Sequence, residues 1–127
     1  MHHSPDDCGT LKDLERLSSR IGAEPLLIQG AGGNTSLKRD DRIWVKASGK
    51  WLCDAESEPM FVPIDLKEGN RILGTEKDDF PAAVLPDCPA GLRPSIETSL
   101  HIALPQPVVI HVHCVNTLAW AVRQDGV

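Results

Sequence analysis

The stretch Pro107-Val-Val-Ile-His-Val-His113 constrains this chain more than any other. Its β-branched run predicts a strand, and side chains on a strand alternate between faces, so His111 and His113 share one face about 7 Å apart while Val112 points the other way. Two imidazoles that converge on one point suit two ligands of a divalent ion, because neutral imidazole is the commonest metal-binding side chain and a strand fixes the spacing. The competing reading is a pair of hydrogen-bonded histidines on a half-buried strand. The segment just upstream, Arg93-Pro-Ser-Ile-Glu-Thr-Ser-Leu-His101, bears on the choice, because it reads as a helix start that delivers a carboxylate to the same end of the sheet. Ser95 is the expected N-cap, which puts Glu97 in the first turn and His101 one turn later. Glu97 could equally serve the helix alone, as a first-turn acid. His101 reads as a packed, hydrogen-bonded histidine.

At 127 residues the chain is expected to form a single domain, 1–127. With 41% hydrophobic and 24% charged residues it has the balance of a soluble globular protein. A net charge of −5 with no basic cluster argues against a nucleic-acid partner. No window reaches the length of a membrane span, and the first residues have no basic segment followed by an apolar run, so no membrane partner and a cytoplasmic location are expected. Cysteines 8, 53, 88 and 114 are scattered without a Cys-x-x-Cys pair, as in a reducing compartment. Cys114 reads as core packing. His2 and His3 sit at a terminus, where a rigid site seldom forms.

From Thr10 to about Gly22, Leu11, Leu14, Leu17 and Ile21 form one stripe of an amphipathic helix, and Thr10-x-x-Asp13 resembles a capping box. A short apolar run, Pro25 to Gln29, feeds Gly30-Ala-Gly-Gly-Asn-Thr-Ser36, whose residues tolerate positive φ and close backbone approach and so could cradle an anion. The loop matches neither the P-loop nor the dinucleotide fingerprint; the alternative is a turn into the next strand. Two strands, Ser36–Arg39 and Arg42–Lys46, are expected to form a hairpin turned at Asp40-Asp41. The second ends in Ala47-Ser-Gly49, where a hydroxyl and a glycine N–H could reach the same anion. Phe61 to Asp65 reads as an edge strand because of Pro63, and Asp65 as a helix start. Gly74 to Leu92 reads as loop. Asn116 is expected near the cap of a last helix reaching Val122.

Four motifs, Gly32-Gly-Asn-Thr-Ser36, Ala47-Ser-Gly49, Pro94-Ser-Ile-Glu-Thr98 with His101, and His111-Val-His113, occur in this order and at these spacings. Together they resemble the class II aldolase/adducin family, and within it the branch of fuculose- and rhamnulose-phosphate aldolases, over roughly residues 10 to 122. The resemblance implies a three-layer α/β/α sandwich around a mostly antiparallel central sheet, assembled as a homo-oligomer, usually a tetramer with sites between subunits. It implies that His111 and His113 are two of three ligands to Zn2+ or another divalent metal, and that Glu97 moves the proton next to a ketone carbonyl. Gly33, Asn34, Ser48, Gly49 and Ser95 fall where the family binds a sugar phosphate. The implied reaction is that of a zinc-dependent aldolase, a lyase that cleaves or forms a C–C bond through an enediolate. Epimerases and dehydratases share these motifs, and Glu97 rather than Asp tilts the reading toward the aldolases; an adducin-like interaction module is the alternative from another class. Two departures stand out: no histidine follows His113, so the third metal ligand is not present in this chain, and the chain has no tyrosine to act as proton donor. Both are expected if the sequence is the N-terminal part of a longer domain, truncated at its C-terminal end.

Overall fold

The computed structural model describes residues 9–122, so His2, His3 and Cys8 lie outside the described residues. The chain opens with helix α1, Leu11–Gly22, whose capping box is complete: Asp13 N donates to Thr10 Oγ1 at 3.2 Å and Thr10 N donates to Asp13 Oδ2 at 3.0 Å. Strands β1, Asn34–Arg39, and β2, Arg42–Lys46, form the expected hairpin. Asp40 and Asp41 turn it at φ of 54° and 61°, positions where aspartate is among the better-tolerated non-glycine residues. Strand β3, Phe61–Asp65, pairs with β2 and lies at the sheet edge, where the missing N–H of Pro63 costs no ladder bond. Asp65 caps helix α2, Leu66–Leu73, by accepting from the backbone N–H groups of Lys67 and Glu68. Helix α3, Thr98–Ala103, strand β4, Val108–His111, and helix α4, Val115–Ala121, follow.

The sheet is antiparallel throughout, in the order β3-β2-β1-β4. Alternation along the strands divides the core into two layers. Ile43, Val45, Val62 and Ile64 pack with Ile72 of α2, Ile102 of α3, Phe80 and Ala83. On the opposite face Leu37 and Phe61 pack with Leu14 of α1, Leu52 and Met60, with Trp44 partly buried beside them. This is the expected α/β/α sandwich. Among the described residues no helix is long and apolar enough to cross a membrane.

Four local readings are corrected. The segment Gly74 to Leu92 contains a 3-10 turn, Phe80–Ala83, whose Phe80 and Ala83 are core residues. Helix α3 starts two residues later than expected, with Glu97 rather than Ser95 at its N-cap, although the Ser95 hydroxyl accepts from Glu97 N (3.3 Å) as a capping serine does, in the turn that precedes the helix. Strand β4 ends at His111, so His113 leaves the sheet; its N–H donates instead to Leu27 O at 2.8 Å. Cys114 is a half-buried N-cap of α4, where a hydrogen bond with Thr117 holds its thiol below the usual range, and not a core residue.

Helix α1 meets the 3-10 turn Leu52–Asp54 with almost no clearance. A Cβ on Gly22 would lie 2.3 Å from Cys53 N and 2.6 Å from Leu52 C, both backbone atoms that cannot step aside. Gly22→Ala is therefore expected to lose roughly 1–3 kcal/mol or more, the range for overpacking a tight contact. Urea denaturation reads this directly, and an unchanged midpoint would show that the two segments are not in backbone contact.

Candidate functional site

Three turns converge at one end of the sheet, two of them flanking the neighbouring strands β1 and β2. The glycine loop enters β1, and Gly33, at φ 78°, passes so close to its surroundings that a Cβ there would fall 2.2 Å from Ile28 Cδ1 and 3.2 Å from His111 O. Only glycine combines that φ with that approach. The loop Ala47-Ser-Gly49 leaves β2, and Ala47 bridges to Pro94, which draws the third turn, Ser95 to Glu97, alongside. Ser48 N donates to Arg93 O at 3.0 Å and locks the same junction.

A cavity of about 310 Å³ lies between the three turns, lined by Asn34, Lys46, Ser48, Gly49, Ser95 and Glu97 among others. Asn34 is completely buried and borders the cavity from beneath; its Nδ2 donates to Ser95 Oγ at 3.0 Å, so it orients that hydroxyl. Gly49, at φ 78°, has open space where a Cβ would be, so its backbone faces the opening. Gly33 does not line the cavity; it is buried behind it, against His111 O.

Lys46 is the residue that sequence reasoning missed. It is 2% exposed, and its ammonium donates to Ala31 O (2.7 Å) and Lys50 O (2.8 Å), tying the glycine loop to the loop after β2. Burial pushes its pKa down while the nearby Glu97 carboxylate pulls it back up. The one signal in the sequence was a lysine at the end of a strand directly before a small-residue turn.

The carboxylate and the histidines meet on the neighbouring strand. Asn34 and His111 are register partners on β1 and β4, so both side chains stand on the α3 face. Glu97 Oε1 is in hydrogen-bond contact with His111 Nδ1, and the two side chains are 25% and 37% exposed. The rings of His111 and His113 lie edge to face with centroids 5.0 Å apart, although His113 has left the strand. His113 is held by its N–H to Leu27 O and by Gln29 Nε2, which donates to its carbonyl at 3.2 Å. His101 is fully buried against Ser36, with Ser36 Oγ 2.6 Å from His101 Nδ1.

Two adjacent imidazoles fit as two ligands of a divalent ion. Among the described residues no group of three or more His, Cys, Asp or Glu is disposed to hold one, and this pair alone falls short of the usual three protein ligands. The structure thus brings Asn34, Ser48, Gly49, Ser95 and Glu97 to one cavity, joins that cavity to His111 through Glu97, and sets His113 beside His111.

The family described as Class II Aldolase and Adducin N-terminal domain matches residues 16–127. A solved structure, described as that of the N-terminal class II aldolase domain of a conserved protein from Thermoplasma acidophilum, is similar with a TM-score of 0.75 and 26% identity. The match covers 98% of this chain and 63% of that one, so this chain spans less than two thirds of the other's length. No curated protein matches significantly.

Proposed function

Starting from the fact that the chain belongs to the class II aldolase and adducin N-terminal domain family, we propose that it carries the phosphate-binding and proton-transfer part of an aldolase-type site for a phosphorylated sugar. The observation that supports this best is the contact of Glu97 with His111 at the border of a cavity lined by Lys46, Ser48 and Ser95. Ser48, Gly49 and Ser95 supply hydroxyl and N–H donors for a phosphate, and the Lys46 ammonium beneath them adds a positive charge of low mobility. Glu97, which lines the same cavity and touches His111, takes or returns the proton on a carbon beside the sugar carbonyl. A divalent ion such as Zn2+, with His111 and His113 among its ligands, would polarise that carbonyl oxygen and stabilise charge developing on it. The remaining ligand and the proton donor would come from outside the described residues, from further chain or from another copy in a homo-oligomer.

A second reading, an adducin-like assembly module, is favoured by the apolar side chains that β4 and α4 leave exposed, among them Val108, Ile110 and Leu118. The two readings part on ligand binding. With Asn34→Leu, which takes the hydrogen bond from Ser95 Oγ, the affinity for a ketose phosphate is expected to fall about tenfold or more, with divalent-metal content unchanged. Calorimetry on the two forms measures this. Absence of any phosphate-ester binding by the unsubstituted protein would favour the assembly reading.

A further inference from the structure

The layer between β1 and α3 holds buried polar side chains that almost all satisfy one another. Asn34, Ser36, Thr98 and His101 are each 0% exposed. The Thr98 hydroxyl donates to Ser95 O at 2.7 Å, Asn34 Nδ2 donates to Ser95 Oγ, and Ser36 pairs with His101 Nδ1. Among the described residues two buried side-chain atoms find no hydrogen-bond partner, Asn34 Oδ1 and His101 Nε2. Buried polar atoms are rarely left in that condition, because each gave up hydration on folding.

The two atoms lie in the same layer, one on β1 and one on α3. Asn34 and Ser36 are two residues apart on β1 and therefore face the same side, about 7 Å apart along the strand, with the His101 ring seated on Ser36. Their chemistry is complementary as well. Of the two tautomers this contact allows, the one in which the Ser36 hydroxyl donates to Nδ1 gives that hydroxyl proton an acceptor, and it puts the ring proton on Nε2. Burial, which drives the His101 pKa down to about 4, keeps the ring neutral at physiological pH. Nε2–H is then a donor and Asn34 Oδ1 an acceptor, and a water accepting from one and donating to the other meets both needs.

We propose that His101 Nε2–H and Asn34 Oδ1 share one buried water, and that His101 is thereby a positioning residue that fixes the Asn34 amide and, through it, aims the Ser95 hydroxyl at the cavity. The water rests on the two unpaired buried atoms and on the shared face of Asn34 and Ser36; its effect on a ligand rests on the phosphate reading of that cavity.

Nitrogen-detected NMR of the histidine rings tests the first part: Nδ1 should be unprotonated and Nε2 should carry a slowly exchanging proton. A high-resolution crystal structure should show the water within hydrogen-bond distance of both atoms. An Nδ1–H tautomer, or a crystal structure without that water, would overturn the proposal. The second part is read by titrating inorganic phosphate into variants. His101→Leu should bind about tenfold more weakly, as for loss of one hydrogen bond, while His101→Gln, which keeps an amide donor, should restore affinity to within about threefold of the unsubstituted protein. Unchanged affinity in His101→Leu would refute the positioning role. If the unsubstituted protein fails to bind phosphate, the functional reading falls, and the ring tautomer and the crystal structure still decide the water. The same two measurements decide it if His101→Leu does not fold.

Discussion

Glu97→Gln is expected, on the proposed aldolase-type reading, to lower solvent-proton exchange next to the carbonyl of a bound ketose phosphate by about 10²–10⁴-fold, the usual contribution of a positioned acid/base. Gln has nearly the shape of Glu and can still meet His111 Nδ1 through its amide, so the contact seen on Glu97 Oε1 need not be lost with the charge. The loss should therefore be in kcat, with substrate binding and divalent-metal content close to those of the unsubstituted protein. Proton NMR of the substrate in heavy water gives the exchange rate directly. Full exchange activity in Glu97→Gln would return this carboxylate to a purely structural role at the start of α3.

The second large effect concerns folding. Burial lowers the His101 pKa from its ordinary 6.5 to about 4; Glu97 opposes the shift, and Lys38 and His111 add to it. The folded chain therefore binds fewer protons at this site than the unfolded chain at any pH between those two values. The stability contributed by the neutral, buried ring is complete above about pH 6.5 and is lost as the pH falls toward 4. The slope is about 1.4 kcal/mol per pH unit, up to about 3 kcal/mol in all. Urea midpoints measured from pH 7 to pH 4.5 should fall accordingly, and the same series on His101→Gln should be flatter by that amount. Equal slopes in the two proteins would mean that His101 is solvated in the folded state.

Much of this architecture was legible in the sequence because local rules and tertiary packing agree there. Thr10 and Asp13 announce α1, the Asp40-Asp41 turn sets the β1–β2 register, and Pro63 marks an edge. The rest depended on partners distant in the chain. Ser95 has the chemistry of an N-cap, yet its hydroxyl is engaged by Asn34, sixty-one positions away, and the helix begins at Thr98. His113 continues the alternation of β4 on paper, but its N–H is taken by Leu27 and not by a strand neighbour. Phe80 and Ala83 lie in a stretch of Pro, Asp and Gly that carries no period, and only the space beside α2 makes them core. At the candidate site, residue types and order were enough to name Glu97, His111 and the three turns. Lys46 was not, since a strand-end lysine ordinarily reaches solvent and nothing local says that two carbonyls wait for it.

The grip of Lys46 on Ala31 O and Lys50 O bears on how this rim can vary. An insertion or deletion in either loop would lift a carbonyl away from an ammonium that has almost no access to solvent, leaving a buried charge short of an acceptor. The two loops are thus a single unit of variation, although Ala31 and Lys46 are fifteen positions apart in the chain. Grafting one of them from a homologue of different loop length should succeed only when its counterpart is exchanged as well.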